Sequence, residues 1–454
     1  MKVAAQSRAS SDIRVVVGLG ATGLACARYL HRRGVAFSVV DSRAQPPGLA
    51  ELQREMPSVS VFAGDYPPEL IARAAELIVS PGVAMDAPIV AQALAAGVDV
   101  VGDIDLFMRE AAAPVVGITG SNAKSTVTEL VGQMARDARL SVGVGGNLGT
   151  PALELLSPER ELYVLELSSF QLERAHRLGL AVATVLNVSA DHLDRHGSMP
   201  GYHVAKHRIF QGCRKVVVNR DDPLTIPLLG TDVDVVGWTM REPDASDFGL
   251  RHVGGVEYLC HGGESLLPVS ELHLAGRHNV ANALAALALG YSAGLPVADM
   301  LGTLRNFKGL PHRCELVAEI DGVRYVNDSK GTNIGATEAA LRGLGGERNI
   351  LLLAGGQGKG ADFSELAPAV ARHCKLLLLF GEDAPALQRV LASSAPVRMV
   401  SSLEEAVSVA TANAKAGDTV LLSPACASFD MFSGYAQRGE TFRALVGRLR
   451  EGRR

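Results

Sequence analysis

The sequence predicts an α/β protein of three domains: a Rossmann-like N-terminal domain, a P-loop-type central domain and a Rossmann-like C-terminal domain. Three observations carry this reading. Short apolar runs that end in glycine or small-residue loops alternate with helical periods along the chain. Glycine is abundant at 48 residues while aromatics make up only 5%, a balance that suits glycine-punctuated α/β units. The 454 residues, 47% of them apolar, suffice for about three separate cores.

In residues 1–102, "RVVVGLG" reads as strand and turn, "TGLACARYLHRRG" as helix and "FSVVDSR" as a second strand. "ELIVSPGV" and "VDVVGD" complete a doubly wound pattern. The cycle restarts at "PVVGITGSNAKSTVTELVGQMARD", which is strand, glycine loop and helix. Strands at "ELYVLEL", "VATVLNVS" and "KVVVNRDD" follow, then a more polar strand-like stretch over 233–275 and an Ala-rich helix from about Asn279. The turn residues of "LRNFKGLPHRCELV" mark a boundary near Leu310, so the central domain spans 103–310. In 311–454, "RNILLLAGG", "KLLLLFG" and "DTVLLSPA" are three apolar strands, each ending in small or polar residues.

The net charge of −4 gives no case for nucleic acid, although local cations and helix N-termini can still hold anions. Cys26, Cys213, Cys260, Cys314, Cys374 and Cys426 are dispersed and form no C-x-x-C pair, which predicts reduced, mostly buried thiols in a cytoplasmic protein. The first 15 residues are polar and charged, unlike a secretory signal. The uncharged stretch from Asn279 to Ala298 is interrupted by Gly290, Gly294 and Pro296, so it reads as a helix that stops and not as a membrane span.

Two glycine loops carry the chemistry. Gly18, Gly20 and Gly23 form G-x-G-x-x-G between strand and helix, and Asp41 follows 18 residues after Gly23 at the next strand end. This pattern fits a dinucleotide, another nucleotide diphosphate, or a tight βα turn that needs small residues for packing. In the second loop, Gly117, Gly120, Lys124, Ser125 and Thr126 sit where backbone N–H groups face phosphates, a lysine reaches them and a hydroxyl meets Mg²⁺. Ile118 and Ala123 replace two glycines of the strict P-loop. A helix entering just after Ala123 predicts a negative φ there, where a methyl costs little.

The loop G117-I-T-G-S-N-A-K-S-T126 resembles the ATP loop of the Mur ligases, which build the peptide stem of peptidoglycan. The resemblance continues in order through "VGGNLG", "ELSSFQLE", "LNVSADHLDRH", "YHVAKHRIF", "GRHNVANALAA", "GLPHRCE", "NDSKGTN" and "GGQGKGADF", and covers nearly all of 14–445. "LLSPACASFD" is similar to the family members that add D-glutamate.

The resemblance implies an ATP- and Mg²⁺-dependent ligase with UDP-N-acetylmuramoyl-L-alanine and D-glutamate as small-molecule substrates, acting as a monomer without nucleic acid or membrane. It assigns Gly18, Gly20, Thr22, Gly23, Asp41, Ser42, Arg43, Ser80 and Asn147 to the UDP-sugar. ATP falls to Gly117, Gly120, Ser121, Asn122, Ala123, Lys124, Ser125, Thr126, His278, Asn279, Arg313 and Asp328. D-glutamate falls to Thr332, Lys359, Ser428 and Tyr435, the last standing where the family more often has phenylalanine. Lys124, Glu166, His192 and Lys206 are the implied catalytic set, with Ser125, Glu166, His192 and a carbamylated Lys206 as metal ligands. Carbamylation needs a neutral amine, and at an ordinary pKa only about one lysine in 2,500 is neutral at pH 7. Burial or neighbouring cations must therefore depress Lys206.

Other readings stay open. Another amino-acid ligase, Mur-type or folylpolyglutamate-type, is a rival, although the D-N-P-R segment of the diaminopimelate-adding pattern is absent. A nicotinamide oxidoreductase is suggested by the first loop alone, and a non-catalytic nucleotide binder by Ala123. His203 and His207, four apart on one helix face, admit a zinc reading, but the H-E-x-x-H glutamate is absent.

Overall fold

The computed structural model describes residues 13–451, apart from positions 148, 177, 229–232 and 275. Most of the polar N-terminal stretch, Leu148 of "VGGNLG" and the last residue of the 233–275 stretch lie outside the described residues.

Three sheets form. The first holds five parallel strands in the order Ser60–Ala63, Phe37–Asp41, Arg14–Val17, Glu76–Val79 and Asp99–Val101. Its three inner strands are almost wholly buried because helices cover both faces, and for that reason they read as unbroken apolar runs. The strand order reverses at Arg14–Val17, and the G-x-G-x-x-G loop leaves that strand's C-terminal end. Crevice binding in open α/β sheets occurs at such a point.

The second sheet has nine strands in the order Val142–Gly146, Leu162–Glu166, Val115–Thr119, Val182–Val185, Lys215–Asn219, Asp234–Trp238, Phe248–Val253, Val256–His261 and Glu264–Pro268. The first seven run parallel, and the last two turn back as antiparallel hairpins in the stretch expected to be polar and strand-like. The helix Lys124–Asp137 packs beside Arg277–Ser292 through Val127, Leu130, Val131 and Met134 against the small residues Ala283 to Leu289. The Ala-rich helix is thus a buried core helix, and no described helix is long and apolar enough to cross a membrane.

The third sheet has six strands in the order Glu315–Ile320, Val323–Asn327, Thr419–Leu422, Ile350–Gly355, Cys374–Phe380 and Val397–Met399. The three strands expected from apolar runs are central. The antiparallel hairpin Glu315–Asn327 and the short Val397–Met399 are outer strands that no apolar run announced. All six cysteines are free, and five are buried.

The first two sheets share one core, in which Val16, Leu24, Ile104 and Phe107 continue into Tyr163, Leu165 and Leu180. Phe107 meets the Tyr163 ring edge-on at 5.0 Å. Arg174, its side chain fully buried, donates to the carbonyls of Val79 (3.1 Å), Ser80, Pro81 (3.3 Å) and Val83 (3.0 Å) and pairs with Glu173. A single guanidinium from the central unit therefore holds the loop that ends the fourth strand of the first.

Candidate active site

The first sheet's crevice is a cavity of about 770 Å³. It is lined by Gly18, Gly20, Thr22, Gly23, Asp41, Ser42, Arg43 and Ser80, eight of the nine residues expected at the UDP-sugar. The ninth, Asn147, lies instead in the central unit, where its Nδ2 donates to Glu166 Oε1 at 2.6 Å. The glycines do different work. Gly18 has φ +88°, and a Cβ on Gly23 would lie 1.8 Å from the Gly18 carbonyl oxygen, so both are needed for the turn itself. A Cβ on Gly20 would meet nothing within 4 Å, and its bareness leaves room for a ligand. Asp41 is buried and accepts from the Leu19 N–H (2.7 Å) and from Arg43 Nε (2.8 Å) and Nη2 (2.6 Å). The Arg43 hydrogen bonds hold its carboxyl down at about 2. Asp41 thus anchors the loop and aims Arg43 while lining the cavity.

In the phosphate loop the expectation for Ala123 is overturned. Ala123 is left-handed, φ +68°, ψ −10°, and caps the helix Lys124–Asp137. The helix does begin at Lys124, but the turn into it closes through the left-handed region, the conformation for which the P-loop glycine is kept. Alanine bears this at a cost on the order of 1–2 kcal/mol. A Cβ on Gly117 would sit 2.4 Å from Leu180, so that glycine serves packing. Ser121 and Asn122 fasten the loop to the neighbouring strand end. The Ser121 hydroxyl donates to the Ser189 carbonyl (2.9 Å), and the Asn122 N–H donates to Asn187 Oδ1 (2.8 Å).

Lys124 Nζ folds back to the carbonyls of Gly120 (2.8 Å) and Ser121 (3.0 Å). Lys206, only 1% exposed, donates to the same Gly120 oxygen at 2.8 Å. Burial lowers both amines, and the Lys124 charge pushes Lys206 further, well below the ordinary lysine range. The depression that carbamylation requires is therefore built into the position of Lys206.

Glu166 ends its strand 3% exposed, and its Oε2 is buried with no hydrogen-bond partner among the described residues. An unpaired buried carboxylate oxygen is costly unless a cation completes it. His192 is left-handed at φ +53° and packs edge-on against Phe170 with centroids 4.8 Å apart. Burial lowers its pKa, and the charges of Lys359, Lys124 and Lys206 lower it further against the pull of Asp191. His203 and His207 both bond the Leu224 carbonyl, at 3.0 and 2.8 Å. Among the described residues no group of three or more His, Cys, Asp or Glu side chains is placed to hold a metal ion.

The third unit reaches onto this loop. Arg313 Nη2 donates to Ser125 Oγ at 2.6 Å, and Asn333 Nδ2 donates to Asp191 Oδ2 at 3.0 Å. Between the units lies a cavity of about 260 Å³ lined by Asn122, Ala123, Thr126, His278, Asn279, Arg313 and Asp328, all expected at ATP. Both His278 ring nitrogens are buried without partners among the described residues, and burial lowers its pKa to about 4. Desolvation raises buried Asp328 to about 6, while it accepts from Ser423 Oγ at 2.7 Å. Trp238 and Asn282 line the same cavity and were not singled out from sequence. Asn282 donates to Asn279 one helical turn away at 3.2 Å, a spacing visible in "NVAN".

The expected D-glutamate residues sit at strand ends of the third sheet. Lys359 is exposed and left-handed at φ +52°, and its charge reaches His192. Ser428 is buried, and Thr332 donates its N–H to the Lys330 carbonyl at 2.8 Å. Tyr435 opens the last helix, with Lys330 Nζ 3.8 Å from its ring centroid. Burial, then Arg313, lower Lys330 to about 8.

Fold and site define an enzyme that gathers polyanions, a nucleotide among them, between three α/β units. Three family models match consecutive parts of the chain: Mur ligase MurD-like N-terminal domain (12–102), Mur ligase middle domain (118–290) and Mur ligase glutamate ligase domain (312–426). The chain belongs to the Mur ligase family. It is 53% identical to UDP-N-acetylmuramoylalanine--D-glutamate ligase of Pseudomonas fluorescens over 443 residues, covering 97% of this chain and 99% of that one. It is 54% identical to the protein of that name from Pseudomonas aeruginosa, with the same coverage. Among solved structures, the fold is similar to a pseudomurein peptide ligase type C from Methanothermus fervidus (TM-score 0.61, 18% identity, 97% of this chain and 100% of that one). It is also similar to a MurF ligase from Thermotoga maritima in complex with ADP (TM-score 0.58, 17% identity, 98% of each chain).

Proposed function

We propose that the protein joins the L-alanyl carboxylate of UDP-N-acetylmuramoyl-L-alanine to the amine of D-glutamate, consuming ATP, in peptidoglycan precursor synthesis. The observation that carries this reading is the gathering of four basic side chains at one junction. Lys124, Lys330 and Arg313, with Lys206 before its carbamylation, share this junction with Glu166, Asp191 and Asp328, and burial lowers all three lysines. Such a site is prepared for phosphates and carboxylates and is poorly satisfied without them.

A free carboxylate does not form an amide with an amine in water. The substrate carboxylate attacks the γ-phosphorus of ATP, giving an acyl phosphate and ADP. The D-glutamate amine then attacks the carbonyl carbon and phosphate leaves. Lys124 stands against the phosphates, and Arg313 carries a second charge to them from the third unit. The orphaned Glu166 oxygen fits Mg²⁺, with Ser125, His192 and carbamylated Lys206 as companion ligands. Bound there, Mg²⁺ supplies charge neutralisation for the phosphate oxygens. The first crevice takes the uridine diphosphate, with Gly18 to Gly23 at the diphosphate and Arg43 at the uridine side. Lys359, Thr332, Ser428 and Tyr435 take the two carboxylates of D-glutamate. We place the enzyme in the cytoplasm, where ATP is made, and as a monomer.

Phosphate release measured with each co-substrate omitted in turn tests the reading. Release is expected only when ATP, the UDP-sugar and D-glutamate are all present. Equal release with L-glutamate, or with diaminopimelate in its place, would sink the assignment.

A further inference from the structure

The last helix, Tyr435–Glu451, carries an arginine that no motif singles out. Arg438 is 0% exposed and is among the largest wholly buried side chains. Its Nε donates to Ser329 Oγ at 3.0 Å. Its Nη2 donates to the carbonyls of Ser329 (2.8 Å) and Cys426 (3.2 Å), and Nη1 reaches the Gly355 carbonyl at 3.5 Å. These acceptors lie just beyond Val323–Asn327 and Thr419–Leu422 and at the end of Ile350–Gly355, three neighbouring strands of the third sheet. Each acceptor also sits a few residues before a group assigned to D-glutamate. Ser329 precedes Thr332, Gly355 precedes Lys359, and Cys426 precedes Ser428. Ser329 Oγ in turn donates to the Tyr435 carbonyl at 2.8 Å, which joins the fourth segment to the same centre.

Arg438 forms no ion pair among the described residues, and all its acceptors are neutral oxygens. A buried guanidinium without a touching carboxylate is expensive, and burial lowers its pKa to about 10. The carboxylates of Asp430 and Asp328 act on it through space and oppose that lowering, without touching it. The domain's implied ligand is a dianion that binds at these same loop ends.

We propose that Arg438 is the positioning residue of the amino-acid pocket: it ties the three strand-end loops together and sets a positive field under the carboxylates of the incoming amino acid. This rests on the D-glutamate reading above. The two parts predict different losses. Without the ties, Lys359, Thr332, Ser428 and Tyr435 lose their mutual spacing. Without the charge, the dianion loses an attraction that a low-dielectric site magnifies.

Steady-state kinetics of the full chain with ATP, the UDP-sugar and D-glutamate provide the test. Arg438→Met is expected to raise KM for D-glutamate by about tenfold or more, with KM for ATP and for the UDP-sugar little changed. Arg438→Lys keeps the charge but not the fork, and should fall between wild type and Arg438→Met. Val446→Ala weakens the same helix through the core, and should lower Tm without moving KM for D-glutamate. If Arg438→Met does not fold, Ser329→Ala, which removes the Nε acceptor, must show the selective KM rise. An unchanged D-glutamate KM in the variants that fold, or equal losses for all three substrates, overturns the proposal. If wild type itself responds to a different amino acid, the D-glutamate reading fails, and the KM comparison is then made on that amino acid.

Discussion

Lys124 and Lys206 donate to one and the same acceptor, the Gly120 carbonyl oxygen, each at 2.8 Å. Burial and the repulsion between two ammonium groups so close together hold the Lys206 pKa well below the ordinary lysine range. A lowered amine and an unsatisfied Glu166 carboxylate oxygen are what the proposed carbamylation and Mg²⁺ binding require.

Lys206 is therefore expected to carry the added mass of one carbon dioxide in intact-protein mass spectrometry under bicarbonate. Lys206→Arg cannot be carbamylated, because guanidinium stays protonated, and should lose activity by about a hundredfold or more. An unmodified, fully active enzyme at saturating substrates would remove this role.

Lys124 and Lys359 should fail differently. Lys124→Ala is expected to abolish phosphate release, with a kcat loss on the order of 10²–10³-fold. Lys359→Ala should act mainly on KM for D-glutamate. Equal loss of D-glutamate affinity in both variants would contradict the division of labour.

Gly20 and Gly23 separate ligand space from protein packing. Gly23→Ala drives a methyl into the Gly18 carbonyl and should destabilise by about 2–4 kcal/mol in urea unfolding. Gly20→Ala meets open space and should fold normally, yet raise KM for the UDP-sugar by about tenfold, because the methyl occupies the place of the diphosphate. Unchanged KM in a folded Gly20→Ala would mean that the cavity holds something else.

His278 makes ligand-free stability depend on pH. Its folded pKa of about 4 lies below the unfolded 6.5, so between these values the unfolded chain binds more protons. Its contribution is full above about pH 6.5 and is lost as the pH falls toward 4, by up to about 3 kcal/mol. Calorimetry at about pH 7 and about pH 5 should show a smaller drop in Tm for His278→Gln than for wild type. Equal drops would mean that the imidazole is not the group responsible.

The strands around the site were legible because parallel strands buried on both faces must be apolar throughout, as "RVVV", "ILLLAG" and "TVLL" are. Val397–Met399 and the hairpin Glu315–Asn327 were not, since outer strands alternate with polar residues and resemble loops. The loop residues of the site could be placed from their motifs and from their positions after strands. The conformation of Ala123 could not, because helix entry looks the same in sequence whether the preceding residue is left-handed or extended. Arg174 and Arg438 were hidden for a further reason. A charged residue on a helix or turn ordinarily faces water, and only long-range packing reveals that these two are enclosed by carbonyls.

The clamp of Arg174 and the continuous core beneath it have a metric consequence. With the first and central units fused, the spacing between the first sheet's crevice and the Gly120 turn is a fixed length, not an adjustable one. The pair works as a caliper. A nucleotide-sugar whose reactive carboxylate lies one residue too far out would overshoot the phosphate-transfer point, however well its uridine end were gripped.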